Sequence, residues 1–188
     1  MAPEVSERVR WTIEDLENFP NNGNRYEIID GELFVTRSPH IKHQDVAGLM
    51  YAALLSWSLQ SKLGKPFIAP GVIFSEADAV IPDVIWISTD RQAQIIDESG
   101  HLTGAPELIV EVLSESAADK KRDRDTKLKL YSVQGVIEYC IADLCLNLIE
   151  VYRCENGILK KVMTLLEDDE LTSPLLPGFR CQVGTLFA

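Results

Sequence analysis

Polar and apolar positions alternate with a period of two through YEIIDGELFV, residues 26–35, around Asp30-Gly31. That dipeptide favours a two-residue type I′ hairpin turn. The register then sets Ile29 opposite Glu32 and Glu27 opposite Phe34. Because successive strand residues face opposite sides, Tyr26, Ile28, Leu33 and Val35 share one apolar face, and Glu27 and Glu32 share the other. Upstream, Thr12 and Asp15 have the spacing of a capping box for a short helix that ends before Pro20. Beyond the hairpin, Val46, Leu49, Met50, Ala53, Leu54 and Trp57 recur at i, i+3, i+4 spacing and predict an amphipathic helix over residues 43–61. FIAPGVIF and AVIPDVIWI read as strands, followed by a polar stretch over residues 88–106. ELIVEVL is apolar on both faces, as a central strand requires. DKKRDRDTKLKLY predicts a second helix ending near Gly135, IEYCIAD and LNLIEVYR a strand pair, and LTSPLLPGF a terminal loop. A mixed sheet flanked by two substantial helices places the chain in the α/β or α+β class.

Composition narrows the function classes. The 188 residues carry 29 acidic and 18 basic side chains, a net charge of −11. The length suits a single domain spanning residues 1–188. With 46% hydrophobic and 25% charged residues the balance is that of a globular protein and excludes disorder. No apolar run approaches the roughly 18 residues of a membrane helix. MAPEVSERVRW lacks the apolar core of a secretory signal. Four cysteines (Cys140, Cys145, Cys154, Cys181) form no CxxC pair and read as small buried hydrophobes of a reducing cytoplasm. The acidic balance excludes coating of nucleic acid by bulk charge, so any such contact must be local. GxGxxG, Walker A and GxSxG motifs do not occur, which removes those nucleotide and serine-hydrolase readings.

Three charges stand where the pattern calls for apolar residues. Asp83 alternates in register with Ile81, Ile85 and Ile87, and Glu111 shares a face with Ile109 and Leu113. An unpaired buried carboxylate costs several kcal/mol or shifts its pKa upward. A cation partner, a metal, or a place at the solvent-open end of a strand relieves that cost. On a helical wheel of about 100° per residue, Lys127 lies in the middle of an apolar arc with Leu130 and Tyr131, whereas Arg122, Asp125 and Lys129 lie opposite. Lys127 either snorkels along that arc or joins the carboxylates. Asp83, Glu111 and Lys127, with Glu32 or Glu27 from the hairpin, form a candidate site. Hard oxygen ligands suit Mg²⁺ or Mn²⁺ rather than zinc. A neighbouring ammonium can orient or deprotonate a water, or stabilise developing negative charge. Together they could hydrolyse a phosphodiester. His43 and Tyr131 are candidate supporting residues, and Arg124 could reach a phosphate. A helix-start histidine bonded to backbone and a solvated basic helix face are the alternatives for His43 and for the cluster Lys120, Lys121, Arg122 and Arg124. His40 and His43 have H-x-x-H spacing, but His40 follows Pro39 and precedes the helix, which argues against zinc.

Pro82-Asp83 followed by Glu111-Val112-Leu113 resembles the PD-(D/E)XK signature of restriction-endonuclease-like nucleases. RYEIIDGELFV, SPHIKHQDV, IPDVIWI, PELIVEVLSESA, DRDTKLKLYSVQGVIEY and LLPGF, spanning residues 11–187, stand in the order seen in the domain-of-unknown-function-820 family of that superfamily. The resemblance implies a restriction-endonuclease-like mixed sheet flanked by helices. It also implies a Mg²⁺-dependent endonuclease acting on DNA, with Asp83 as the motif aspartate, Glu111 at the D/E position and the Val112 carbonyl as a further metal ligand. Leu113 departs from the motif lysine, and Lys127 on the following helix matches the residue that replaces it in related nucleases. Glu32 matches the family's additional acidic position better than Glu27. A homodimer is a further expectation, since two sites cut two strands. The rival reading is a non-catalytic binding module that keeps the nuclease fold, motivated by the acidic surface and the missing motif lysine.

Overall fold

The computed structural model describes residues 9–114 and 116–188. Residues 1–8, most of the segment in which a secretory signal was sought, and Glu115 lie outside the described residues. In chain order the first half contains α1 (Ile13–Leu16), β1 (Arg25–Ile29), β2 (Glu32–Thr36), α2 (Ile41–Ser61), β3 (Gly64–Ile68), β4 (Val72–Ser75), β5 (Asp78–Val80), β6 (Val84–Ser88) and α3 (Thr89–Ile95). The second half contains β7 (Leu108–Leu113), α4 (Ala117–Lys121), a π-helical turn (Arg122–Lys127), α5 (Leu128–Gln134), β8 (Glu138–Asp143), β9 (Leu148–Glu155), β10 (Ile158–Leu165), β11 (Glu170–Ser173), β12 (Leu176–Gln182) and a 3₁₀ turn (Val183–Leu186).

Six strands form the central sheet in the order β10-β9-β8-β7-β6-β3. It is mixed, because β7 and β8 run parallel while the other pairs are antiparallel. Every residue of β7 and β8 is buried, as the two-sided apolarity of ELIVEVL predicts. One face of the sheet, through Val84, Trp86, Val110 and Val112, packs on Val46, Met50 and Leu54 of α2 and on Phe179 of β12. The other face, through Ile85, Ile109, Leu113 and Ile141, packs on Leu130 and Tyr131 of α5 and on a four-stranded antiparallel sheet ordered β2-β1-β5-β4. Burial of each large apolar side chain contributes about 1.5–3 kcal/mol. Val46, Met50 and Leu54 therefore suffice to fix which side of α2 docks.

The hairpin forms in the expected register, with Ile29 paired to Glu32 and Glu27 to Phe34. Asp30 and Gly31 both have positive φ, as a type I′ turn requires. Burial is not confined to the apolar face: Ile28 on that face is 0% exposed, yet the opposite face is turned inward as well. Glu27, Ile29 and Phe34 face the core, while Val35 remains 52% exposed. FIAPGVIF and AVIPDVIWI each divide into two strands belonging to different sheets, β3 with β4 and β5 with β6. Pro70 and Pro82 lie at the breaks, where they cannot donate to a ladder. The second break leaves Asp83 just ahead of β6, at the sheet's end. The stretch over residues 88–106 contains α3, capped by the Ser88 side chain accepting from the Arg91 backbone N–H. The terminal segment read as loop is instead a hairpin of β11 and β12, with register shifts that obscure strict alternation. Cys140 and Cys181 are buried as expected, but Cys145 is exposed beyond the end of β8.

Gly64 and Gly48 test opposite aspects of this packing. A Cβ on Gly64 would collide with the Ile87 carbonyl and the Trp86 ring, whereas a Cβ on Gly48, within α2, meets nothing within 4 Å. Gly64→Ala is expected to lower the unfolding free energy by about 1–3 kcal/mol through overpacking. Gly48→Ala is expected to raise it by up to about 1 kcal/mol through helix propensity. Urea denaturation of the two variants reads both signs.

Candidate functional site

β6 begins and β7 ends at the same edge of the central sheet, and there the two layers part into a cleft of about 380 Å³. It lies at the carboxyl ends of the parallel pair β7 and β8, where open α/β sheets place ligands. Arg25, Glu27, Asp83, Glu111, Asp123 and Lys127 line its interior, and residues 35–40 with Lys42 and His43 line its mouth.

Lys127 is only 2% exposed. Its Nζ lies 2.9 Å from Glu111 Oε1, 3.0 Å from Glu27 Oε1 and 3.8 Å from Asp123 Oδ1. The Tyr131 hydroxyl, one helical turn on, donates to Glu111 Oε1 at 2.8 Å. Glu27 Oε1 also accepts the Ile81 backbone N–H at 2.8 Å. The π-helical turn governs this cluster. Its i→i+5 winding brings residues five apart towards one side, so Arg122 enters the cleft wall with Lys127 instead of lying opposite. Arg122 is 9% exposed, and its guanidinium reaches Thr36 Oγ1, Asp119 and Asp123 at 3.0, 3.2 and 3.3 Å. The Tyr139 hydroxyl, donating to the Asp123 carbonyl at 3.0 Å, supports the turn from the sheet below.

Asp83 is held from three sides. Arg25 Nη1 reaches its Oδ1 at 2.6 Å, while His43 Nε2 and the Val112 backbone N–H reach Oδ2 at 3.1 and 2.9 Å. A strand residue directs its N–H and C=O to the same side. The Val112 carbonyl therefore points towards the side on which Asp83 stands. The Nδ1 atom of His43 is buried without a hydrogen-bond partner among the described residues.

Charge in the cleft is unbalanced. Three carboxylates surround Lys127. Complete burial pushes the Glu111 carboxyl up to about 8, opposed by Lys127 and reinforced by Asp83, Asp123 and Glu27. Burial likewise raises Asp123 above its usual range. Burial alone would lower Lys127, but Glu111, Glu27 and Asp123 outweigh it and raise the ammonium pKa well above normal. Asp83 moves the other way. Burial would raise it, but the His43 and Arg25 contacts hold it well below the usual carboxylate range. Lys127 therefore stays protonated, and the acidic excess near Glu111 is neutralised by a proton or by an added cation.

Asp83, Glu111, Lys127, Val112, Glu27, His43 and Tyr131 thus come together. Glu32 does not: it lies two residue pairs nearer the turn than Glu27, is exposed, and lines no part of the cleft. Arg124 faces elsewhere, bound to Asp143 and Glu150 at 2.8 and 3.0 Å, because the π-helical turn rotates it off the Lys127 side. Arg25, Asp123 and Arg122 are additions to the sequence reading. Asp123 has i, i+4 spacing to Lys127 and was detectable; Arg25 is separated from Asp83 by 58 residues and carries no local signal.

The fold and the acid-lysine cleft at the end of a mixed sheet define a restriction-endonuclease-like protein. The family model Uma2, described as "Putative restriction endonuclease", matches residues 13–184, and the chain belongs to that family. A crystal structure described as a putative nuclease belonging to DUF820, from Anabaena variabilis, is similar with a TM-score of 0.74 at 17% identity, covering 94% of this chain and 97% of that one. No curated protein matches the sequence. No helix among the described residues is long and apolar enough to cross a membrane.

The raised Glu111 pKa carries a signed prediction for stability. A group whose folded pKa exceeds its unfolded value stabilises the fold fully below the unfolded pKa, here 4.5, and loses that contribution as pH rises through about 8. Asp83, depressed, contributes above 3.8 and loses its contribution only in stronger acid. The metal-free protein is therefore expected to lose unfolding free energy between about pH 5 and 8, and Glu111→Gln to flatten that loss. Urea denaturation across this range in chelator measures it; identical slopes in both proteins would remove Glu111 as the responsible group.

Proposed function

We propose that the chain is a divalent-metal-dependent endonuclease that hydrolyses phosphodiester bonds in DNA. The observation that carries the reading is the convergence of Asp83, Glu111 and Lys127 on one cleft, joined by Glu27. Asp83, Glu111 and the Val112 carbonyl would hold Mg²⁺ or Mn²⁺, and their oxygen donors fit such a hard cation. The acidic excess around Glu111 also fits it. No three acidic or histidine side chains among the described residues already converge in ligating geometry, so binding requires Asp83 to exchange a present contact.

The ion would supply charge neutralisation at the phosphate and acidify a water. The chain's own residues do the rest. Lys127, protonated throughout the neutral range, positions water and stabilises developing negative charge rather than accepting a proton. Glu27 and Asp123 fix its ammonium, and Tyr131 orients Glu111. His43 and the Val112 N–H hold Asp83. At the mouth, Arg37 and Lys42 are exposed and have no carboxylate partner among the described residues, which suits them to phosphates flanking the scissile one.

The binding-module reading has one observation in its favour: both Asp83 oxygens are occupied by protein donors. Plasmid nicking with Mn²⁺ separates the two. Asp83→Asn and Lys127→Ala are expected to reduce cleavage at least about 10²-fold, with folding checked by thermal melting, whereas Arg124→Ala and Glu32→Gln retain it. Absence of nicking by the native protein with any divalent ion favours the module. For the mouth, replacing both Arg37 and Lys42 by Gln is expected to reduce the slope of log K for DNA against log salt by about two, near 0.9 for each lost phosphate contact. An unchanged slope would remove these residues from the interface.

A further inference from the structure

The two Asp83 oxygens are held differently. Oδ2 has two protein donors, the Val112 N–H and His43 Nε2, both contributed by well-buried residues. Oδ1 has one, Arg25 Nη1 at 2.6 Å, from a side chain 24% exposed against 4% for Asp83 itself. Arg25 makes no other side-chain hydrogen bond among the described residues and lines the same cleft as Glu111 and Lys127. The Oδ2 contacts fix the carboxylate in place, while a single cation at the cleft wall covers the oxygen that remains.

We propose that Arg25 is a phosphate-operated latch on the metal site: it caps Asp83 Oδ1 in the free protein and transfers to a substrate phosphate, uncovering that oxygen for the ion. The inference rests on the metal-dependent reading above and adds an order to it, with nucleic-acid phosphate and metal promoting each other's binding. Guanidinium suits the exchange, since its planar fork pairs with carboxylate or phosphate in the same geometry. Its partial exposure, against the burial of Asp83, leaves the guanidinium within reach of an incoming anion. An Arg25 on phosphate and a cation on Asp83 replace one ion pair by two, so neither charge is left unpaired in the cleft. By linkage, whatever factor phosphate contributes to metal affinity, metal contributes to phosphate affinity.

Mn²⁺ titrations followed by electron paramagnetic resonance, with and without a short phosphorothioate DNA duplex, test the latch on the full chain. The duplex is expected to tighten Mn²⁺ binding to the native protein about tenfold, within the usual range of coupling. Arg25→Gln is expected to bind Mn²⁺ about tenfold more tightly than the native protein without duplex, to gain nothing from the duplex, and to bind the duplex more weakly. A purely structural Arg25 would weaken both affinities together, so the opposed signs identify the latch. Arg25→Lys, which keeps a point charge but not the fork, should leave metal binding near native and weaken the duplex; it serves if the glutamine variant does not fold. Native Mn²⁺ binding and cleavage alongside an Arg25→Gln metal affinity no tighter than native would overturn the latch alone. Failure of both proteins to bind Mn²⁺ even with duplex would overturn the metal-dependent reading and the latch with it.

Discussion

A lysine ammonium enclosed by three carboxylates is the constraint around which the rest of the structure is arranged. Lys127 removed from water without partners would cost several kcal/mol. Glu111, Glu27 and Asp123 make its burial tolerable, but each must come from a different part of the chain: the centre of the main sheet, the N-terminal hairpin and the preceding turn. The π-helical turn follows from the same demand. It brings Arg122 to the side of Lys127 and adds a second cation where the carboxylates outnumber the first. Glu27 of the hairpin is fixed similarly, by its contacts with the Lys127 ammonium and the Ile81 backbone N–H.

Much of this was legible in sequence wherever the physical signal is local. Asp30-Gly31 set the hairpin register because its backbone geometry admits one two-residue turn. The misplaced charges Asp83, Glu111 and Lys127 marked the cleft because burial cost does not depend on knowing the fold. The choice between Glu27 and Glu32 lay beyond that reasoning. Alternation puts both on one face, but only the position of the cleft along the strand decides which one reaches it. Arg122 and Arg124 were misassigned for a related reason: a wheel with one fixed angle cannot register a π-helical turn, so both arginines change sides. The breaks at Pro70 and Pro82 carried a usable signal, whereas the β11–β12 hairpin, with bulged register, did not.

Structural likeness at 17% identity concerns the backbone, and a fold does not specify chemistry. The chemistry here is argued from atoms. Two features distinguish the cleft from an ordinary buried salt-bridge network. Glu111 is displaced upward despite touching an ammonium, which a balanced ion pair would not produce. Asp83 is displaced downward a strand away. Two carboxylates with opposed shifts facing one cavity support the proposed reading of the cleft, since a hydrophobic replacement would pack the same space at lower cost.

The net charge of −11 is an objection to the polyanionic substrate proposed above, and screening answers it. At physiological ionic strength exposed charges separated by more than about 8 Å are largely screened, so an approaching phosphate responds to its nearest neighbours rather than to the total. Arg37 and Lys42 are exposed at the mouth of this cleft and Arg25 is partly exposed, while Glu27, Glu111 and Asp123 are buried around Lys127. A chain can therefore be acidic overall and still receive phosphate at one place. Under the proposed function, attraction confined to a short range would also make binding depend on correct seating in the cleft, because a DNA backbone lying elsewhere on the surface would gain little from it.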